Sequence, residues 1–133
     1  MSAPSPGADT SDAPPPSGPT RPAMCAAASW FLNQTTLPRH QTVKLFGEDF
    51  SAFLEQLIPQ IEQLARRCAE DDTQALIALV ALAGAAEARR RLGVAERPGL
   101  SGEVERVKRL ARSVVALHDH YGALTDTLRH ARP

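Results

Sequence analysis

The sequence predicts an all-α fold, an antiparallel bundle of three long helices plus one short N-terminal helix, preceded by a disordered tail. Three observations predict it. Ala, the strongest helix former, supplies 22 of the 133 residues. Apolar residues recur at intervals of three and four along three separate stretches, as on amphipathic helices. Residues 1–23 hold seven of the eleven prolines and no large apolar side chain after Met1. Such a segment buries too little surface to offset its chain entropy.

The division is therefore a tail over 1–23 and a helical domain over 24–133. In the first helix, expected over 24–36, Ala26, Ala27, Trp30 and Phe31 fall at helical spacing. Trp30, the only Trp, reads as a buried staple, and Leu37-Pro38 ends the element. A second helix over 40–69 carries Val43, Phe46, Phe50, Phe53 and Leu57, then Leu54, Ile58, Ile61, Leu64, Ala65 and Cys68. Gly47 weakens its start. Pro59 lacks the N–H that would bond the Glu55 carbonyl, so a kink is expected there, with the stripe resuming in phase.

Asp71-Asp72-Thr73 supply a turn and an N-cap for a third helix over 73–92. Its apolar side chains Leu76, Ile77, Leu79, Val80, Leu82, Ala83 and Ala86 place it in the middle of the bundle. Arg89, Arg90 and Arg91 oppose the negative end of its dipole, and Gly93 suits the position after it. Ser101 is the expected cap of a last helix over 102–129, with Glu103 and Glu105 in its first turn. Val104, Val107, Leu110, Val114, Leu117, Tyr121, Leu124 and Leu128 form a seam of coiled-coil type along it. Short connections make consecutive helices antiparallel, with the short helix laid across the bundle.

Lys+Arg and Asp+Glu both total 15, so the net charge is zero. A balanced chain has no overall attraction for nucleic acid or anionic lipid. The longest uncharged apolar run, 75–86, is 12 residues, well short of the roughly 20 that a membrane span needs. The start lacks the order of a secretory signal, and Cys25 and Cys68 have no metal-type spacing. Reduced thiols in a cytoplasmic protein are expected. The 13 Arg against 2 Lys, with the single Asn33, suggest a high-GC genome.

Two clusters carry candidate chemistry. Arg89, Arg90, Arg91, Arg97, Arg106, Lys108, Arg109 and Arg112 gather around the last connection, as a phosphate or nucleic-acid site would require. Glu87, Glu96, Glu103 and Glu105 are interleaved with them, and Glu87–Arg91 and Glu105–Arg109 sit at i,i+4 spacing. No aromatic among them could stack a base. The second cluster is His118-Asp119-His120-Tyr121. Residues two apart on a helix point away from each other, so the two His cannot share an ion, and a zinc site normally needs three or four ligands. Asp126–His130 is an ordinary i,i+4 pair and His40 stands alone. There is no Gly-rich phosphate loop, nucleophile elbow or Cys-x-x-Cys. No catalytic, cofactor or metal residue is assigned, and nothing in the sequence supports an enzyme.

Ala86-Glu87-Ala88-Arg89-Arg90-Arg91-Leu92, Pro98-Gly99-Leu100, Arg109-Leu110-Ala111-Arg112-Ser113-Val114 and Ala116-Leu117-His118-Asp119-His120-Tyr121 resemble domain of unknown function 6415. Leu57-Ile58-Pro59 followed by Ile61-Glu62-Gln63-Leu64-Ala65 is similar to that family's proline-containing helix. The likeness spans roughly 25–130 and is strongest over 86–124. The resemblance implies an actinobacterial source and a natural product biosynthesis setting, with no activity attached. A Cys often precedes Asp-His-Tyr in that family, and His118 stands there in this chain. Within these motifs Glu87, Arg90, Arg109, Arg112, Asp119, His120 and Tyr121 are the candidate polar cluster or interface. They read either as ion pairs that fix helix register or as a pocket for a ligand or partner peptide.

The leading reading is a non-enzymatic protein-interaction or accessory module, with a protein partner or self-association and no membrane contact. The last helix could outrun its shorter neighbour and leave Tyr121, Leu124 and Leu128 needing cover. One alternative is a nucleic-acid-binding regulator using the Arg-rich hairpin. The other is a small-molecule-binding or catalytic bundle in a biosynthetic cluster, around His118, Tyr121 and Glu87. Whatever the function, the seam predicts that Leu110→Ala or Leu117→Ala costs roughly 2–5 kcal/mol, measured by urea unfolding.

Overall fold

A computed structural model describes residues 20–70, 74–96 and 98–130. Four helices account for nearly all of them: α1 Arg21–Leu32, α2 His40–Cys68, α3 Ala75–Leu92 and α4 Leu100–His130. The all-α bundle of three long helices and one short one is as the sequence predicts. The expected tail lies outside the described residues up to position 19, as do Asp71-Asp72-Thr73, Arg97 and residues 131–133.

α1 opens earlier than expected. The Thr20 hydroxyl accepts a hydrogen bond from the Ala23 N–H at 3.2 Å, and Pro22 sits in the first turn. A threonine cap with proline just inside is a favoured helix start, hidden in the sequence among the tail's other prolines. The helix also stops sooner, at Asn33, whose N–H bonds the Ser29 and Trp30 carbonyls. α4 opens at Leu100, so Ser101 lies inside its first turn instead of capping it. α2 runs unbroken through Pro59. Pro59 and Glu55 are both exposed.

The helices alternate in direction. Arg89 of α3 meets Glu62 of α2, and Arg91 and Gly84 of α3 meet Ser113 and His120 of α4. α1 lies along α4 and not across the bundle. Its first residue touches His118 and Tyr121, while Phe31 near its end lines a small cleft with Val104 and Lys108. An antiparallel course beside α4 explains both contacts.

The core is built from Phe50, Leu54, Leu57, Ile58 and Ile61 of α2 and Val107, Leu110, Val114, Leu117 and Leu124 of α4, all buried. Leu124 is fully buried, and Tyr121 and Leu128 pack partly buried against the core. The expectation that these three need outside cover is therefore overturned. α2, at 29 residues, nearly matches the 31 of α4 and shields its far end, where Cys68 donates a long hydrogen bond to the Leu124 carbonyl. Trp30 is not a buried staple either. It is half exposed and stacks on Phe46, which in turn meets Phe31 and Phe50.

α3 departs most from expectation. Its buried residues are Ala78, Ala81, Ala85 and Ala88, while Leu76, Leu79 and Val80 face away from the core. Leu82, expected in the core, does pack partly buried against it, as does Leu92. α2 and α4 already fill the interior with large side chains, and close packing then favours methyl groups at the centre of the facing surface.

Gly47, a blemish in the helix pattern, has the same cause. A Cβ built there would lie 3.0 Å from Val107 Cγ2 and 3.5 Å from an Arg106 guanidinium nitrogen. Val107 is β-branched, fully buried and unable to turn aside. Gly47→Ala is expected to lower stability by about 1–3 kcal/mol through overpacking, despite its better helix propensity. Urea unfolding checks it.

Candidate functional site

The structure does not bring the predicted polar cluster together. Glu87, Arg90 and Arg109 line one shallow hollow with Arg91 and Val94, where α3 ends. Arg112 and Asp119 are exposed, two turns apart on one side of α4. His120 lies on the α4 flank that faces α3. Tyr121 lies on another flank, under the Arg21 guanidinium, whose carbon stands 3.9 Å from the ring centre. Arg21 also reaches the His118 ring at 3.2 Å. His118 and His120 thus serve different neighbours, as two residues 200° apart on a helix must.

His120 explains Gly84. A Cβ at Gly84 would come within 2.7 Å of His120 Nε2 and 2.8 Å of its Cδ2. The imidazole therefore lies against bare backbone, and the small residues of α3 are what let α4 come so close.

Four of the eight basic residues, Arg89, Arg90, Arg91 and Arg106, are engaged by carboxylates of the protein itself. Arg89 forms a two-pronged bond to Glu62 of α2, at 2.8 and 3.1 Å. Arg90 pairs with Glu87. Arg91 takes Glu87 at 3.1 Å, as its i,i+4 spacing predicts, and also donates to the Ser113 hydroxyl at 2.9 Å and the Arg109 carbonyl at 3.2 Å. Ser113 is buried, so this bond satisfies a hydroxyl that would otherwise be expensive to leave inside. Hydrogen bonds from Arg89 and Arg90 hold the Glu62 and Glu87 carboxyls below the ordinary carboxylate range. Arg129 reaches Asp126 at 3.7 Å, and His130 bonds the Asp126 backbone carbonyl instead of its carboxylate.

Sequence reasoning missed the most buried ion pair. Arg106 and Glu103 share two hydrogen bonds of 2.8 Å, with side chains only 11% and 8% exposed. These bonds raise the Arg106 pKa. The i,i+3 spacing was visible, but Glu103 read only as a first-turn charge favoured by the helix dipole. Lys44, Glu48, Ser51, Glu55 and Glu96 line the adjoining groove between α2 and α4.

Chemistry is scarce. Burial pushes both thiols up, with the Asp119 charge adding to the effect at Cys25. A thiol held protonated is a poor nucleophile. Among the described residues no three His, Cys, Asp or Glu side chains converge as metal ligands would, and no helix is long and apolar enough to cross a membrane.

What does stand out is the outer face of α3. Leu76 is 70% exposed, Leu79 63%, Val80 51% and Ile77 37%. Leu76, Leu79 and Val80, with exposed Ala83, follow i, i+3, i+4, i+7 spacing and so form one stripe. The sequence had assigned these side chains to the core.

The profile of a family of unknown function, DUF6415, matches residues 22–126. The chain belongs to DUF6415. No curated protein and no solved structure matches it. The DUF6415 match covers α1, α2, α3 and most of α4, so the alanine face, the outer stripe and the arginine-rich hairpin all lie within the region that defines the family. DUF6415 carries no activity in its description, and the site must be read from its own geometry.

Within that DUF6415 region the Glu103–Arg106 pair is open to direct test. Arg106→Ala strips a buried carboxylate of this guanidinium and is expected to cost about 3 kcal/mol. Replacing both residues by Leu should recover most of that loss, because the charge that needs compensation is gone. Urea unfolding of the two variants distinguishes these outcomes.

Proposed function

We propose that this protein is a non-catalytic helical module that docks a protein partner through the outer face of α3. One observation carries the reading, the concentration of Leu76, Ile77, Leu79 and Val80 on a single exposed helix surface. Scattered surface Leu residues need no explanation, but a contiguous apolar stripe exposed on a monomer marks an interaction site. Aliphatic side chains already held on a folded helix lose little further entropy when they are buried by a partner. In the natural product setting that the family resemblance implies, such a module would act as an accessory or regulatory subunit beside the catalytic proteins.

The nucleic-acid reading is weaker on this geometry. Arg89, Arg90, Arg91 and Arg106 are each engaged by a carboxylate. A phosphate backbone would have to compete with those partners for the guanidinium groups.

Capture from native cell extract with the full chain as bait tests the docking reading. A stoichiometric protein partner should survive nuclease and high salt, and should be lost from Leu76→Glu and Leu79→Glu baits that remain helical by circular dichroism. Capture of nucleic acid that salt releases, unaffected by these substitutions, would overturn the reading in favour of a regulator.

A further inference from the structure

We infer that the partner of the α3 face is a second copy of this chain, paired antiparallel about a two-fold axis near the level of residue 81. The inference rests on the reading of that face as a docking surface and names its occupant.

The stripe is self-complementary in shape. Its first half carries the large Leu76, Leu79 and Val80, and its second half the small, exposed Ala83 and Ala86. Turned about an axis at the level of residue 81, Leu79 of one copy comes opposite Ala83 of the other, and Leu76 comes opposite Ala86. Each copy then seats its large side chains over the small residues of its partner. That reciprocity is what a two-fold interface demands. A parallel arrangement would set Leu79 against Leu79 and leave the alanines facing each other across a gap.

Charge favours the same orientation. The last turn of α3 holds Arg89, Arg90 and Arg91, and Arg90 is well exposed. Parallel pairing would stack the two arginine-rich ends and the two helix dipoles alike. Antiparallel pairing keeps those ends apart and sets the dipoles head to tail. The net charge of zero removes any overall repulsion between copies.

Area is consistent with a dimer. The four exposed aliphatic residues present on the order of 400 Å² of apolar surface per copy, close to the apolar share of a standard interface burying about 800 Å² on each side. The chain's own N-terminal segment is a poor alternative occupant. Residues 1–19 include no large apolar side chain after Met1, so they offer nothing to fill the stripe.

Sedimentation velocity of the full chain over a wide concentration range tests the proposal. A reversible dimer is expected. Leu79→Glu should raise its dissociation constant by roughly thirtyfold or more, as for an interface anchor. Ala83→Leu should weaken it too, although it adds apolar surface, because it fills the space that receives Leu79. The swapped double variant, Leu79→Ala with Ala83→Leu, should restore pairing. All these positions are exposed, and circular dichroism confirms that each variant keeps its helix. A chain that stays monomeric at every concentration overturns the inference, as does a dimer indifferent to these substitutions or strengthened by Ala83→Leu. If a monomeric chain still captures a different protein that Leu79→Glu loses, the self-pairing fails while the docking reading stands.

Discussion

The bulky side chains that α2 and α4 place in the core leave the centre of the facing surface of α3 to alanine, with Leu82 and Leu92 packing partly buried against the core. Phe50, Leu54, Ile58, Ile61, Leu110 and Leu117 fill the interior, and Ala78, Ala81, Ala85 and Ala88 close over them. Close packing makes this an all-or-none fit. Were α3 turned by half a revolution, its leucines would meet side chains already at van der Waals distance. The rotation of one helix is thus fixed by the volume of the other two, and the exposure of Leu76, Leu79 and Val80 follows from that rotation.

The same economy of space governs the glycines and the polar contacts. Gly47 and Gly84 stand where Val107 and His120 come close against α2 and α3. Around this tight core the arginines act as fasteners. Arg89 ties α3 to α2, Arg91 ties α3 to α4, and Arg106 closes on Glu103 at the start of α4. Exposed pairs such as Arg90–Glu87 add little to stability in water. The bond from Arg91 to buried Ser113 and the near-buried Glu103–Arg106 pair matter more, because removing either partner strands a polar group inside.

The interior of this bundle is lined almost entirely by apolar side chains. The thiols are held protonated, the two histidines of α4 serve different flanks, and the carboxylates near the arginines are bound to them. The outer stripe of α3 is the part of the described surface where large exposed aliphatic side chains fall together on one helix face. Binding through it needs no rearrangement of the core, since the helix that carries the stripe is already fixed on its inner side.

The sequence by itself determined the helices and their approximate ends, and the inward seam of α4. Val104, Val107, Leu110, Val114, Leu117 and Leu124 are all buried, because on that helix apolar and polar residues segregate cleanly and the period of 3.6 allows only one inward face. On α3 that signal fails. Alanine and leucine both count as apolar, so the helix reads as apolar nearly all round, and its two opposite faces cannot be ranked from pattern alone. The candidate polar residues were legible as types and spacings, yet Glu87 and Arg90 lie at the end of α3, His120 on α4 against Gly84 of α3, and Tyr121 beneath Arg21 of α1. Only tertiary structure decided these matters, because which face of α3 turns inward depends on how much space α2 and α4 leave, and that is a property of three helices together.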